Sequence, residues 1–273
     1  MKDKRVLFVS SEVVPYLPEN DISTLSFEAP KMINSTGGQT RIFMPRFGNI
    51  NERRHQLHEV IRLSGLNLVV NDLDMPLIIK VASIPKERMQ VYFIDNEDYF
   101  KRKAMYSDED GELFEDNDER CIFFAKGVIE TVKKLNWAPD IIHVNGWMAS
   151  LLPLYLKNYY GNEPLFKGSK IVTSIYKNNF EGKLDDSMYK KVMFDGIDDD
   201  KVEQIKTPNY NNLIKLSVMY SDGVIIGSEK IPDELDDFIK KFKKPKLKYH
   251  SLEEFTQAYQ DFYLKDILNE EID

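Results

Sequence analysis

A single cysteine, Cys121, occurs in 273 residues. One thiol excludes a disulfide framework and a Cys-rich zinc site. Histidine is nearly as scarce: four scattered residues give a Ser-His-Asp or Cys-His arrangement no anchor. No apolar run approaches the roughly 18 residues of a membrane span, and Met1 to Arg5 leads into a strand rather than a signal peptide. A cytoplasmic chain with no membrane partner is therefore expected. Positive charge is not in excess either. Lys+Arg 37 against Asp+Glu 45 leaves −8 and a pI near 5.2, the wrong sign for a general nucleic-acid binder. What is present is 42% hydrophobic and 12% aromatic residues, enough for a globular core in one large domain or two small ones.

Short apolar runs alternate with helical segments. Val6-Leu7-Phe8-Val9 ends in Ser10-Ser11; a helix over 24–35 precedes the strand Arg41 to Met44. Further runs are Pro76 to Ser83, Val91 to Ile94, Ile141 to Val144, Ile171 to Ile175 and Val224 to Ile226. Helices are expected at Asp118 to Leu135, where Ile122, Ala125, Ile129 and Val132 share a face, and at Trp147 to Tyr159 and Asn212 to Tyr220. Nearly continuous apolar strands alternating with helices predict an α/β fold: a Rossmann-like, doubly wound, mostly parallel sheet covered on both faces. Ligands of such sheets sit beyond the carboxyl ends of the strands. The turns after Val9, Val144 and Ile175 are the places to look.

Two stretches depart from the pattern. Residues 107–119 (SDEDGELFEDNDE) are acidic and read as loop followed by a helix cap; their order does not fit a calcium loop. Residues 239–250, around Lys240 to Lys248, read as a basic linker, with an anion-binding patch as the other reading. The linker separates a domain over 1–238 from a C-terminal helix and tail over 251–273, where Leu252, Phe255, Ala258, Tyr259, Phe262 and Leu268 could form one face.

The first strand and turn, Val6 to Pro15 with Ser10-Ser11-Glu12-Val13, resemble the start of bacterial glycogen synthases and plant starch synthases. Met44-Pro45-Arg46-Phe47-Gly48-Asn49-Ile50 is similar to that family's M-P-R-Y-G-N-I. Val91 to Asn96 with Tyr99-Phe100, Asp116 to Arg120 with Phe123-Phe124, Trp137 to His143, and Asn212 to Lys215 with Tyr220-Ser221-Asp222 are similar too. The resemblance spans roughly residues 4–235. It implies the N-terminal half of a GT-B glycosyltransferase, a family that transfers glucose from ADP-glucose or UDP-glucose to an α-1,4-glucan. The family's C-terminal domain, which holds most nucleotide-sugar contacts, finds no counterpart in this sequence.

The resemblance also locates departures. The family's Lys-Thr-Gly-Gly-Leu aligns with Pro18-Glu19-Asn20-Asp21-Ile22. Glycines let backbone N–H groups approach a diphosphate and the lysine neutralises it; Pro18 has no N–H, and Glu19 and Asp21 repel such a ligand. The family's His-x-His-Asp-Trp-His reads His143-Val144-Asn145-Gly146-Trp147-Met148, and Met148 replaces a histidine that contacts sugar in the family. Thr-Ile-His-Asn reads Ser174-Ile175-Tyr176-Lys177, again without its histidine. Pro18, Asn20, Asp21, Asn145, Gly146, Met148 and Tyr176 are thus the degenerate positions. No catalytic residue, metal site or cofactor is expected.

Three other residues are candidates for sugar contact. His143 ends a buried strand and reads as a structural histidine or a ligand contact; Trp147 reads as core or as a stacking platform; Tyr106 resembles a family loop that reaches the cleft. His55 and His58 could share a helix face but are weak as metal ligands, and Cys121 reads as a buried small residue. The function expected is a non-catalytic module that binds α-glucan oligosaccharide or glycogen, or regulates glycogen metabolism. Half of a split glucosyltransferase and a docking partner of a full synthase, meeting another protein over the cleft face, are the alternatives.

Overall fold

The computed structural model describes every residue except Arg88, Asn179 and 271–273. Its order is β1 (Arg5–Ser10), α1 (Asp21–Ser35), β2 (Gln39–Pro45), α2 (Glu52–His55), β3 (His58–Glu59), β4 (Leu66–Val70), β5 (Leu73–Ile84), β6 (Met89–Asp95) and α3 (Glu97–Phe100). Then follow α4 (Asn117–Lys134), β7 (Ile141–Asn145), α5 (Leu152–Lys157), β8 (Lys170–Ile175), α6 (Met188–Met193) and α7 (Tyr210–Met219). The described chain closes with β9 (Gly223–Ile226), α8 (Asp233–Lys241), β10 (Lys246–Leu247) and α9 (Phe255–Asp261), which continues as a π-helical turn over Phe262–Ile267.

One sheet carries the order β10-β9-β8-β7-β1-β2-β6-β5-β3, with β4 paired to β5. From β10 to β6 all pairings are parallel. The run at Pro76 to Ser83 lies in β5, which is antiparallel to β6, β4 and β3. The central strands are buried along nearly their whole length, as a sheet covered on both faces requires.

Helix α1 presents Ile22, Leu25, Ala29, Met32 and Ile33 to the core, the three-to-four spacing of one helical face. It begins three residues before the expected start because Asn20 caps it. Helix α4 buries Ile122, Ala125, Ile129 and Val132 as the periodicity predicts. Gly127 brings it close to the sheet: a Cβ there would lie 2.9 Å from Ile94.

The chain direction places α4, α5 and α7 on one face, since each joins strands progressing from β6 toward β9. Helix α1 joins β1 to β2 in the opposite sense and covers the other face. The C-terminal segment packs beside α1 on that face. Phe255, Tyr259, Phe262, Tyr263 and Ile267 are buried there, each worth roughly 1.5–3 kcal/mol of apolar burial. Gly223 makes room in β9, where a Cβ would lie 2.3 Å from Ile267.

Several expectations need correction. The helix expected from Trp147 to Tyr159 is a 3₁₀ turn at Trp147–Ala149 followed by α5; Pro153 has no N–H and sits in the first turn of a new helix. The expected linker over 239–250 holds the end of α8 and the strand β10 on β9. Its lysines are partly used internally: Lys244 Nζ donates to the Ser221 carbonyl at 2.5 Å, and Lys246 Nζ to that of Ile239 at 3.2 Å. Leu252 is 49% exposed and lies off the expected apolar face. The end of the expected tail, 271–273, lies outside the described residues. His55 ends α2 and His58 begins β3, so they share no helix.

Candidate functional site

Strands β1, β7 and β8 end side by side, and their following turns form the edge where a doubly wound sheet receives ligands. The first of these turns is closed by its own side chains. Asn20 Oδ1 accepts the Ser23 N–H at 2.9 Å, and Ser23 Oγ accepts the Asn20 N–H at 2.9 Å. This reciprocal cap satisfies donors that an uncapped helix N-terminus offers to an anion. Asn20 Nδ2 donates to buried Glu12 at 2.5 Å, and the Tyr106 hydroxyl donates to the other Glu12 oxygen at 3.0 Å. Asp21 accepts from Ser228 Oγ at 2.6 Å. Pro18 contributes its carbonyl, which accepts from Ser23 Oγ at 2.8 Å.

The second turn is equally committed. Gly146 has φ +83°, and a Cβ there would meet Ser11 Oγ at 2.4 Å. That close approach lets Ser11 Oγ accept the Met148 N–H at 3.2 Å. Met148 Sδ lies 3.5 Å from the Cys121 thiol, which is buried as expected.

In the third turn, Tyr176 is buried and its hydroxyl donates to Asn145 Oδ1 at 2.7 Å. The Tyr210 hydroxyl donates to the Tyr176 and Lys177 carbonyls, both at 3.0 Å. Gly227 admits the Tyr176 ring, since a Cβ there would lie 2.5 Å from it.

The three sugar-contact candidates are built inward. His143 is buried, with Nε2 2.6 Å from Ser174 Oγ and Nδ1 2.7 Å from the Tyr263 hydroxyl. Burial lowers its pKa to about 3, so the ring is neutral. Trp147 is fully buried between Tyr106 and Phe180, with ring centroids 4.8 and 4.9 Å away. Tyr106 is partly buried, and desolvation together with the Glu12 carboxylate pushes its pKa well above the ordinary value. Tyr106 and Trp147 meet each other, while His143 lies apart under the C-terminal segment.

Sequence reasoning missed Glu12, Tyr210, Ser228 and Tyr263 as members of this edge. Of these, only Glu12 lay within a quoted motif, Ser10-Ser11-Glu12-Val13.

Along the edge run three adjoining pockets of about 240, 230 and 250 Å³. The first two share Asn20 and Asp21, and the last two share Asn178. Their lining is amide-rich, with Asn209 and Asn211 at one end and Tyr249 at the other. Among the described residues no cluster of His, Cys, Asp and Glu could hold a metal. No helix among them is long and apolar enough to cross a membrane.

The family model described as starch synthase catalytic domain matches residues 5–243. Glycogen synthase of Chlorobium luteolum is 37% identical over 193 residues, covering 70% of this chain and 40% of the relative. Glycogen synthase of Chlorobium phaeobacteroides is 33% identical over 235 residues, covering 83% and 48%. The catalytic domain of starch synthase IV from Arabidopsis thaliana, bound to ADP and acarbose, superposes with a TM-score of 0.67 at 16% identity, covering 82% of this chain and 45% of that one. That likeness shows the fold: the sheet is the Rossmann-like half of a GT-B architecture. The chain spans less than half the length of the curated relatives it matches here.

Proposed function

Given that the chain belongs to the starch synthase catalytic-domain family, we propose that it binds an α-glucan without transferring glucose. The observation that carries this is the turn before α1. Where the family presents lysine and glycines, Asn20 is locked to Ser23 and Glu12 at 2.9 and 2.5 Å. The Asn20 and Ser23 N–H groups are occupied locally, and the neighbouring charge at Glu19, Asp21 and Glu12 is negative. A nucleotide diphosphate meets repulsion there instead of a cradle.

A neutral polyol meets no such penalty. Amides donate and accept at once, which suits sugar hydroxyls, and Asn178, Asn209 and Asn211 line the edge groove. Exposed Tyr249 supplies an aromatic face at one end. The relatives are named for glycogen synthesis, and the solved starch synthase holds acarbose together with ADP.

The test has two measurements. Incubation with ADP-glucose and glycogen is expected to extend no chains, and clear turnover overturns the non-catalytic reading. Migration through a gel containing glycogen is expected to be retarded, and unretarded migration overturns the glucan reading.

A further inference from the structure

A pocket of about 280 Å³ opens at the amino edge of the sheet, opposite the strand-end groove. Arg41, near the start of β2, and Gln90, near the start of the parallel neighbour β6, meet there Lys134 from the end of α4 and Arg62 from the loop after β3. Three of its lining residues are cations and none is an acid, in a chain whose net charge is −8.

Nothing described in the fold neutralises this excess. Among the described residues no carboxylate pairs with Arg41, Arg62 or Lys134. The acids nearest in sequence are taken: Glu130, one turn before Lys134, holds Lys133 at 3.1 Å, and Glu87, before Gln90, holds Lys31 at 3.4 Å. Burial raises the Tyr92 pKa, and the charges of Arg41 and Arg62 both oppose that rise, so the two guanidiniums act on one point. The C-terminal end of α4 also faces the pocket, but its partial charge of about −0.5 offsets only a fraction of three full cations.

Two of the cations are held in place. Arg41 Nη1 donates to the Tyr92 hydroxyl at 2.7 Å, and its guanidinium carbon lies 5.1 Å from the Trp137 ring centroid and 5.6 Å from that of Tyr92. The Tyr92 hydroxyl donates onward to Gln90 Oε1 at 3.2 Å. Lys134 Nζ donates to the Leu63 carbonyl at 3.1 Å. These bonds use part of each donor set, since a guanidinium carries five N–H groups and an ammonium three. Arg62 is exposed and makes no hydrogen bond or ion pair among the described residues. Little ordering beyond that one arm is left for a ligand to impose.

This arrangement selects a ligand class. A neutral ligand gains nothing from unmatched charge, and a single carboxylate answers only one of the three cations. A phosphate monoester carries about −1.5 to −2 at neutral pH with three acceptor oxygens, and the arginine fork fits them in pairs. A long polyanion would extend beyond the pocket over an acidic chain. We propose that this pocket binds a small metabolite through a phosphate monoester, with Arg41 and Lys134 as fixed contacts and Arg62 closing over it.

Calorimetric titration of the full chain with glycerol 3-phosphate, inorganic phosphate and acetate at fixed ionic strength tests the site, with tryptophan fluorescence as a second readout because Trp137 stacks on Arg41. The ester is expected to bind one site per chain, more tightly than inorganic phosphate and about tenfold or more above acetate. Arg62→Ala is expected to weaken ester binding about tenfold, the loss of one charge-assisted contact, with an unchanged unfolding temperature in ligand-free buffer. Arg62→Glu should abolish it. No binding by either readout, acetate binding as tightly as the ester, or unchanged binding by Arg62→Glu overturns the site. Inorganic phosphate binding as tightly as the ester overturns the monoester assignment. None of these outcomes depends on glycogen retention, so this site and the glucan reading stand or fall separately.

Discussion

The Tyr176 hydroxyl donates to Asn145 Oδ1 at 2.7 Å, tying together two turns whose family counterparts each carry a histidine. The replacements are therefore a matched pair, and they fill buried space between β7 and β8. Asn145 completes the link by donating from Nδ2 to Ser10 Oγ at 3.4 Å, which brings the turn after β1 into the same network.

Tyr176→Phe should leave Asn145 Oδ1 buried without this donor. An unsatisfied buried acceptor costs about 1–3 kcal/mol. Urea unfolding of the variant is expected to show a loss in that range with an unchanged m-value. A loss under about 0.5 kcal/mol would mean the pair contributes little.

Acid should weaken the fold through His143. Burial holds its pKa near 3, against about 6.5 in an unfolded chain. Between these values the unfolded state binds a proton that the folded state refuses, so stability falls as pH drops from about 6.5 toward 3, by up to about 1.4 kcal/mol per unit. Asp118 acts in the opposite sense: burial raises its carboxyl to about 6, so its contribution is lost as pH rises from about 4 through 6. A difference measurement separates them. The stability gap between wild type and His143→Asn should narrow on acidification, and a gap that stays constant from neutral pH to pH 5 would contradict the assignment.

The Lys126–Asp195 pair is almost completely buried, with 2.6 Å between Nζ and Oδ1. Lys126→Met leaves a carboxylate in a low-dielectric site with only the Tyr155 hydroxyl among these partners. Removing one member of such a pair costs about 3–5 kcal/mol. Thermal unfolding followed by circular dichroism should show it, and the double variant Lys126→Met/Asp195→Asn should recover part of the loss.

Gly146→Ala combines two penalties at one atom. The residue sits at φ +83°, and the new methyl would lie 2.4 Å from Ser11 Oγ. Left-handed backbone for a non-glycine residue costs of order 1–3 kcal/mol, with the clash added. Ser11→Gly should relieve the clash in the double variant. If the single variant matches wild type in chemical denaturation, the close approach of the two turns is not needed.

Much of the sheet was legible because its central strands are short, continuous apolar runs. Strand direction was not. Nothing in Pro76 to Ser83 distinguishes an antiparallel β5 from a parallel strand, and β3, β4 and β10 were missed because two are only two residues long and β4 alternates exposed and buried positions. At the site, the three altered turns could be found by their order along the chain. Their mutual bonds could not, since Tyr106 to Glu12 and Tyr263 to His143 join residues 94 and 120 positions apart. The burial of Trp147 and His143 depends on Phe180 and Tyr263, which no local pattern links to them.

The position of Tyr263 against His143 has a consequence for synthesis. Strands β7, β8 and β9 leave the ribosome well before the segment that covers one of their faces. A nascent chain paused near Lys241 would display an apolar flank around Gly223 and His143, which Phe262, Tyr263 and Ile267 cover in the folded chain.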